Sequence, residues 1–518
     1  MDSRVRGNDE TARGPKTRIP NPESRVPNAE SRIPNPESLI PNPESPVPSL
    51  MKIGFVSLGC PKNLVDSEVM IGLVQQAGHE VTADASSADV LVVNTCAFID
   101  SAKQESVDAI LELAELKRSG RCRKLVVTGC LAERYRSALQ DQIGEIDAVL
   151  GTGEVPDIVR AVSAPAASRP DAGAPLRFFR RPPAAPAPPG SRTDLPNYLY
   201  DAETPRTLVT PKHYAYVKVA EGCDYACSFC IIPQLRGHYR SRDPESILTE
   251  ARRLADRGVR ELLLISQDTT FFGVDRGTRG ALARLLRDLD RVDGLEWIRL
   301  LYLYPTTIGD DVLAAMAESR KVCKYIDLPL QHAAPGVLRR MKRPGTGTTY
   351  RRLLDRIRSR VPDVTLRTTL IVGFPGETRA EFDEVAAFVR DVRFDHLGVF
   401  TYSHEEGTTA FSRRDDVPAR IKRQRRNTLM RLQKRLVRQA QGRRIGERVR
   451  VMVDGPSPEH GLVVRGRLTS QAPEIDSCVY LTEADPEAVR PGQFLDGTIV
   501  GSRDYDLVVQ PLPAADGG

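Results

Sequence analysis

The sequence predicts an α/β protein with three folded parts: an N-terminal parallel α/β domain, a partial (βα)6 barrel and a small C-terminal β-barrel of OB-like kind. Three observations predict it. From Met51, short apolar runs alternate with helical patterns, and several of those runs stop on a cysteine or a short polar string. Six strand-like runs in the middle of the chain each feed a loop and then a helix, too few for a closed eight-stranded barrel but suited to an open one. Beyond Gly442 the apolar period becomes two, that of short strands. A chain of 518 residues exceeds what one core can hold, and about three domains are expected.

Residues 1–50 stand apart. Arg18 to Ser24, Arg-Ile-Pro-Asn-Pro-Glu-Ser, recurs with small changes from Arg25, Arg32 and Leu39, a proline-rich repeat of seven residues. Proline at that density blocks helix and ladder alike, and the few large apolar groups cannot offset the entropy of ordering. Disorder is expected there, with Met51 as the start of the folded protein. The segment lacks the apolar stretch of a signal peptide, and no run of 18 apolar residues occurs, so no membrane span is expected. Nine cysteines, an odd number, fit a reducing compartment in which thiolates hold metal instead of pairing, and a cytoplasmic location is expected. Lys and Arg number 74 against 68 Asp and Glu; the net +6 permits a nucleic-acid or ribosomal partner without demanding one.

In the first domain, 51–162, Lys52 to Leu58 reads as a buried strand, Asp66 to Gln76 as a helix, and Val90 to Asn94 and Lys124 to Thr128 as further strands. Each strand runs into a cysteine: Cys60, Cys96 and Cys130. Crossover helices make the strands parallel, so the three thiols emerge at one carboxyl edge, where open α/β sheets place their ligands. The spacings of 35 and 33 intervening residues match βαβ units, so the fold gathers what the sequence separates. Three cysteines in register point to a metal cluster; three small buried residues closing strands are the plainer alternative. Cys122, Cys323 and Cys478 lack such placement and read as ordinary thiols.

Residues 163–208, rich in Pro, Ala, Arg and Gly, read as an exposed linker with a short ordered piece near Tyr198, Leu199 and Tyr200. The central domain, 209–440, has strand-like runs at 214–220, 261–266, 298–304, 324–330, 366–372 and 396–402, with helices such as 244–257 and 378–390 between them. Barrel chemistry sits at the carboxyl ends of strands. Glu221-Gly222-Cys223-Asp224-Tyr225-Ala226-Cys227-Ser228-Phe229-Cys230 follows the first strand there, with Gln267-Asp268, Gln331-His332 and Gly373-Phe374-Pro375-Gly376-Glu377 after later ones. Gln267, Gln331, Gly373 and Glu377 are candidate cofactor-binding residues, each with a structural alternative as a loop cap or turn former. Arg236, Arg240 and Arg242 could clamp a carboxylate or solvate the start of a helix.

The C-x3-C-x2-C spacing of Cys223, Cys227 and Cys230 puts three thiolates in one loop. A disulfide suits an odd number poorly, and zinc asks for a fourth ligand. An iron–sulfur cube takes four ligands, so three cysteines leave one iron open. The spacing resembles that of the radical S-adenosylmethionine (SAM) enzymes, in which SAM occupies the open iron. The run 417–444 is a helix dense in Arg and Lys with Leu429, Leu432 and Leu436 on one side, either a solvated face or an RNA contact. Strands near 447–453, 461–467, 478–481, 494–499 and 505–510 make the tail barrel, 441–512, followed by a short tail at 513–518.

The order of these parts resembles the radical SAM methylthiotransferase family from Met51 to about Leu512, with the last barrel similar to that family's TRAM domain. The strings Glu221-Gly222-Cys223-Asp224 to Arg240-Ser241-Arg242, Asp327-Leu328-Pro329-Leu330-Gln331-His332 and Gln471-Ala472-Pro473-Glu474-Ile475-Asp476 are similar to its RimO type. The resemblance implies two 4Fe-4S clusters, one on Cys223, Cys227 and Cys230 with SAM, an auxiliary one on Cys60, Cys96 and Cys130. It implies transfer of a methylthio group to the β-carbon of an aspartate in the twelfth protein of the small ribosomal subunit, free or on the ribosome. One SAM would methylate a sulfur and another would give the radical that abstracts hydrogen. A reductant such as flavodoxin or ferredoxin is implied as partner. No individual catalytic residue is assigned. The alternatives are a tRNA adenosine methylthiotransferase of MiaB type, whose strings differ at the fourth strand and in the tail, and a non-catalytic iron–sulfur RNA-binding protein. Glu474 and Asp476 of the tail barrel are expected to repel tRNA phosphates and pair with a basic ribosomal protein, the plainer alternative being ordinary loop charges.

Overall fold

The computed structural model describes residues 50–165 and 195–513. The heptad repeat, much of the Pro/Ala-rich segment and the tail beyond residue 513 lie outside the described residues. The first domain runs β1 (Lys52–Ser57), α1 (Pro61–Gln76), β2 (Glu80–Thr82), β3 (Val90–Thr95), α2 (Asp100–Ser119), β4 (Lys124–Gly129), α3 (Cys130–Gln142), β5 (Ile146–Leu150) and α4 (Ile158–Ser163). Its five strands are all parallel, in the order β2-β1-β3-β4-β5. Val-Leu-Val-Val-Asn-Thr of β3 and Lys-Leu-Val-Val-Thr-Gly of β4 are buried at every position, as strands covered on both faces must be. The order reverses between β1 and β3, and that switch point opens a crevice beyond the carboxyl ends, where Cys60 and Cys96 stand.

Two strands and part of a helix differ from expectation. β2 is a three-residue edge, too short to carry a period. In β5, Asp147 interrupts the apolar run, yet it accepts the Leu125 N–H at 2.7 Å and pairs with Lys117 at 2.5 Å. α1 starts at Pro61, before the expected Asp66, because proline suits the first helical position. Within the expected linker, Tyr200 is buried and its hydroxyl lies 3.1 Å from Glu250 of the barrel, so this stretch packs against the folded core.

The barrel comprises β6 (Tyr214–Lys218), β7 (Ala220–Glu221), α5 (Ile232–Arg236), β8 (Arg240–Ser241), α6 (Pro244–Asp256), β9 (Glu261–Ile265), α7 (Ala281–Leu289), β10 (Trp297–Leu300), α8 (Asp310–Glu318), β11 (Tyr325–Asp327), α9 (Pro335–Arg340), α10 (Gly347–Arg360), β12 (Thr365–Val372), α11 (Arg379–Val392), β13 (His396–Thr401) and α12 (Ala419–Gly442). The six principal strands form two parallel triplets, β6-β9-β10 and β11-β12-β13, joined by the Ile298–Val322 bridge and by the Leu303 N–H donating to the Asp327 carbonyl at 2.9 Å. This is the open, partial barrel that six units permit. Leu264, Leu286, Leu300, Leu354, Leu370 and Phe388 belong to the layer packed between strands and helices. α12 buries Leu429, Leu432, Gln433 and Val437 and leaves Arg423, Arg431, Arg435 and Arg438 exposed. No helix among the described residues is long and apolar enough to cross a membrane.

The tail closes as a barrel in the order β14 (Arg448–Pro456), β15 (Val464–Arg467), β16 (Val479–Leu481), β18 (Asp506–Pro511) and β17 (Phe494–Arg503), around Val451, Val453, Val464, Ile499 and Val509. It docks on the amino-terminal ends of the larger barrel's strands. Arg467 pairs with Glu261 at 2.6 Å, Asp454 accepts from His213 at 2.8 Å, and Arg299 donates to the Thr469 carbonyl at 2.7 Å. Here the structure departs from expectation at Asp476, while Glu474 is an exposed residue. Asp476 has a side chain only 1% exposed, paired with Arg367 at 3.2 Å and bonded by the Tyr325 hydroxyl at 2.6 Å. Glu474 accepts from the hydroxyls of Tyr214 at 2.9 Å and Tyr216 at 3.3 Å. These carboxylates fasten the tail to the barrel, at the end opposite the cysteine loop.

Candidate active site

The first cysteine triplet is built by backbone turns that leave no room for larger residues. Gly59 has φ +92°, and a Cβ there would stand 2.7 Å from that of Cys96, so the β1 and β3 turns touch. Gly129, φ +93°, lies so close to Asn94 and the Thr95 backbone that a side chain would collide. Asn63 locks the turns by donating to the carbonyls of Leu58 at 3.1 Å and Thr95 at 2.8 Å, while Asn94 donates back to the Asn63 carbonyl at 2.8 Å. Burial pushes the Cys130 thiol up to about 12, and Cys60 and Cys96 add to the rise, while Arg236 opposes it. Burial raises Cys96 too, again with Cys60 adding. Thiols that resist ionisation alone but crowd together suit a polycationic metal body that ionises them on binding.

The second triplet lies in the loop after β7. Gly222, φ +88°, faces the His238 carbonyl so closely that no other residue fits. The loop is then pinned: Cys223 N–H donates to the Gly237 carbonyl at 3.1 Å, Ser228 N–H to the Met341 carbonyl at 2.9 Å, and Cys230 N–H to the Cys227 carbonyl at 3.1 Å. All three thiols are half-buried. Burial pushes Cys223 and Cys230 up to about 12, with Cys227 contributing to both. Among the described residues no three His, Cys, Asp or Glu side chains converge on a single-ion site. An iron–sulfur cube asks for something else, thiolates set apart around a larger body, each on its own iron.

Beside the loop, Tyr225 stacks on Tyr304 with centroids 3.9 Å apart, and its hydroxyl donates to Asp268 at 2.8 Å. Arg343 reaches Cys227 Sγ at 3.8 Å. Neither the aromatic shelf nor Arg343 was singled out from sequence; the aromatic inside the cysteine loop was the only local signal.

A buried ionic cluster joins the two triplets. Arg236, in α5, bonds Asp66 at 2.6 Å, Glu221 at 3.4 Å, Asn63, and Cys130 Sγ at 3.6 Å. Lys218 pairs with Asp66 and Glu221, each at 2.5 Å. Burial disfavours an ionised Glu221, but Lys218 and Arg236 outweigh it and hold the carboxyl well below its usual range. Arg236 thus clamps carboxylates, but the protein's own. Arg242 likewise pairs with Glu250 at 2.6 Å, and Arg240 donates to the carbonyls of Arg236 at 2.8 Å and Tyr198 at 2.5 Å.

Gln267 donates to Glu221 at 2.5 Å, and its buried Oε1 has no hydrogen-bond partner among the described residues. Gln331 adopts φ +72° four residues beyond β11, its N–H bonded to the Thr369 carbonyl at 2.9 Å. Glu377 receives the N–H groups of Gly373 and Phe374, stands 3.9 Å from His332, and pairs with Arg425 of α12 at 3.2 Å. Gly373, φ +75°, packs on the Lys422 side chain. These groups shape the rim of the barrel's carboxyl edge. Cys122 and Cys323 belong to apolar clusters, and Cys478 is half-buried in the tail barrel.

Residues 52–151 match the family described as uncharacterized protein family UPF0004, residues 217–389 the radical SAM superfamily, and residues 445–511 the TRAM domain. The chain is 48% identical to the ribosomal protein uS12 methylthiotransferase RimO of Koribacter versatilis, over 89% of this chain and 96% of that one. It is 45% identical to the protein of the same name from Pelotomaculum thermopropionicum, over 88% and 98%. Among solved structures it is similar to the radical SAM methyltransferase TsrM of Kitasatospora setae, at 17% identity, a TM-score of 0.49, and coverage of 67% and 72%.

Proposed function

The chain belongs to the family of ribosomal protein uS12 methylthiotransferases RimO, and from that premise we propose that it transfers a methylthio group to the β-carbon of an aspartate of uS12. The observation that carries the reading is the pair of cysteine triplets, each in turns beyond parallel strands and linked through Arg236, which contacts Cys130 of one and Glu221, two residues before Cys223 of the other. In this proposal Cys223, Cys227 and Cys230 hold a 4Fe-4S cluster and Cys60, Cys96 and Cys130 a second one. Bound there, the first cluster and SAM supply radical chemistry able to remove an unactivated hydrogen, and the second a sulfur-rich body beside it. The chain's own residues do the positioning. Gly222 and the bonds to the Gly237 and Met341 carbonyls fix the cysteine loop. Gln267 offers a buried carbonyl oxygen to a donor, and the half-buried Gln331 with the buried Gly373 and Glu377 shields the site from bulk water. A soluble reductant completes the proposed set of partners.

Anaerobically reconstituted enzyme should contain about eight irons per chain if both clusters are cubes. The combined variant C223A/C227A/C230A should lose about half of them and all deoxyadenosine formation. Incubated with SAM and reductant, the unsubstituted enzyme should add a methylthio group to uS12, read by mass spectrometry. Unchanged iron in the triple variant refutes the cluster assignment, and methylthiolation of tRNA in place of uS12 refutes the substrate.

A further inference from the structure

Lys62 is a buried cation with no carboxylate of its own. It follows Cys60 by two residues in the first turn of α1, is 7% exposed, and has no ion-pair partner within reach among the described residues. Its ammonium stands 3.0 Å from the centroid of the Tyr302 ring. The two buried cations beside it differ: Lys218 and Arg236 each contact both Asp66 and Glu221. Desolvating an ammonium is costly unless an anion compensates. A cation–π contact recovers part of that cost and leaves the ammonium free to accept an anion on its other side.

The position of the pair matters as much as its charge. Lys62 comes from the first domain and Tyr302 from just beyond β10, so the two meet where the first domain touches the larger barrel, two residues along from Cys60. Tyr302 is held there by the barrel. It sits at φ +61°, with its N–H donating to Asp327 at 3.0 Å and its carbonyl receiving the Thr269 N–H at 2.9 Å. A non-glycine residue in that conformation persists only where its surroundings fix it.

We infer that Lys62, backed by the Tyr302 ring, forms a carboxylate-binding subsite that receives the side chain of the substrate aspartate. This rests on the functional reading above. The neighbouring acids Asp66, Glu221 and Asp327 are buried and already paired with Lys218, Arg236 and Arg367, which leaves Lys62 as a buried cation available to an incoming aspartate. Lys62 gives it a counter-ion and holds the carbon next to the carboxyl group in one place, so the subsite selects aspartate over its neutral isostere asparagine.

The test uses reconstituted holoenzyme with two peptides spanning the modified loop of uS12, one with aspartate and one with asparagine at the target. The unsubstituted enzyme should favour aspartate. K62M should lower kcat/KM for the aspartate peptide on the order of 100-fold, as expected when one partner of a buried charge pair is removed. It should also bring the aspartate-to-asparagine ratio close to one, with iron content and both cluster EPR signals retained; K62R should recover much of the preference. A K62M enzyme that keeps its preference overturns the inference, as does loss of the auxiliary cluster's EPR signal in both variants, which would make Lys62 a support of the cluster. Failure of the unsubstituted enzyme to modify the aspartate peptide overturns the functional reading and this inference with it.

Discussion

Arg236 shows how much one side chain can carry. It touches Asp66 and Asn63 of α1, Glu221 before the cysteine loop, and Cys130 of the other triplet. Replacing it by Met leaves two buried carboxylates facing Lys218 alone, and breaking a buried ionic set in this way costs about 3–5 kcal/mol. Urea denaturation of R236M against the unsubstituted protein measures this; a loss under about 1 kcal/mol would mean that the carboxylates find water or take up protons. The six cysteines could be read from sequence because the residue type itself announces the chemistry and each stands where a strand stops. Arg236 stood in the same stretch but its role could not be read, since Asp66 lies 170 residues away and only the fold brings them together. Lys62 was hidden for the same reason: nothing in its own stretch marks it, and Tyr302, which gives it meaning, belongs to another domain.

The strands and helices were the most legible level, because a buried parallel strand writes itself as a short, mostly apolar run, clearest in Glu-Leu-Leu-Leu-Ile of β9 and still readable in β10 and β12 despite Arg299 and Arg367. What escaped was either too short, as β2, or polar by local arrangement, as β5, whose Asp147 is satisfied by Leu125 and Lys117. The turns between elements carry the tightest constraint. At Gly222 an added Cβ meets the His238 carbonyl, which is backbone and cannot swing aside. G222A should therefore displace Cys223 and lower iron in reconstituted protein by about half, with the remaining iron held by the first triplet. Far-UV circular dichroism should stay unchanged, and full iron retention would mean that the loop can flex at this point.

At the scale of the whole molecule, the tail barrel closes the end of the larger barrel away from the cysteines. Its docking was not legible in sequence because, beyond the local bond from the Ala472 N–H to Asp476, the partners of Glu474 and Asp476 that fasten the tail, Tyr214, Tyr216, Tyr325 and Arg367, lie more than 100 residues earlier. The junction should be acid-sensitive. Burial opposes ionisation of Asp454, but Arg467 and His213 outweigh it and hold the carboxyl below its ordinary 3.8. Its contribution is therefore complete above that value and is lost as pH falls through the lower folded one. D454N should be less stable than the unsubstituted protein at pH 7, by about 1–3 kcal/mol, and the two should converge in acid; parallel curves down to pH 2 would contradict this. The ionic cluster between the first domain and the barrel has a further consequence, one of timing. Asp66 and Glu68 are built early, whereas Arg206, Lys218 and Arg236, which neutralise them, come up to 170 residues later. At the usual pace of synthesis that delay is roughly 10–30 s. Throughout it the nascent first domain presents acids shaped for burial and still without their counter-charges, so its final closure waits on translation of the second.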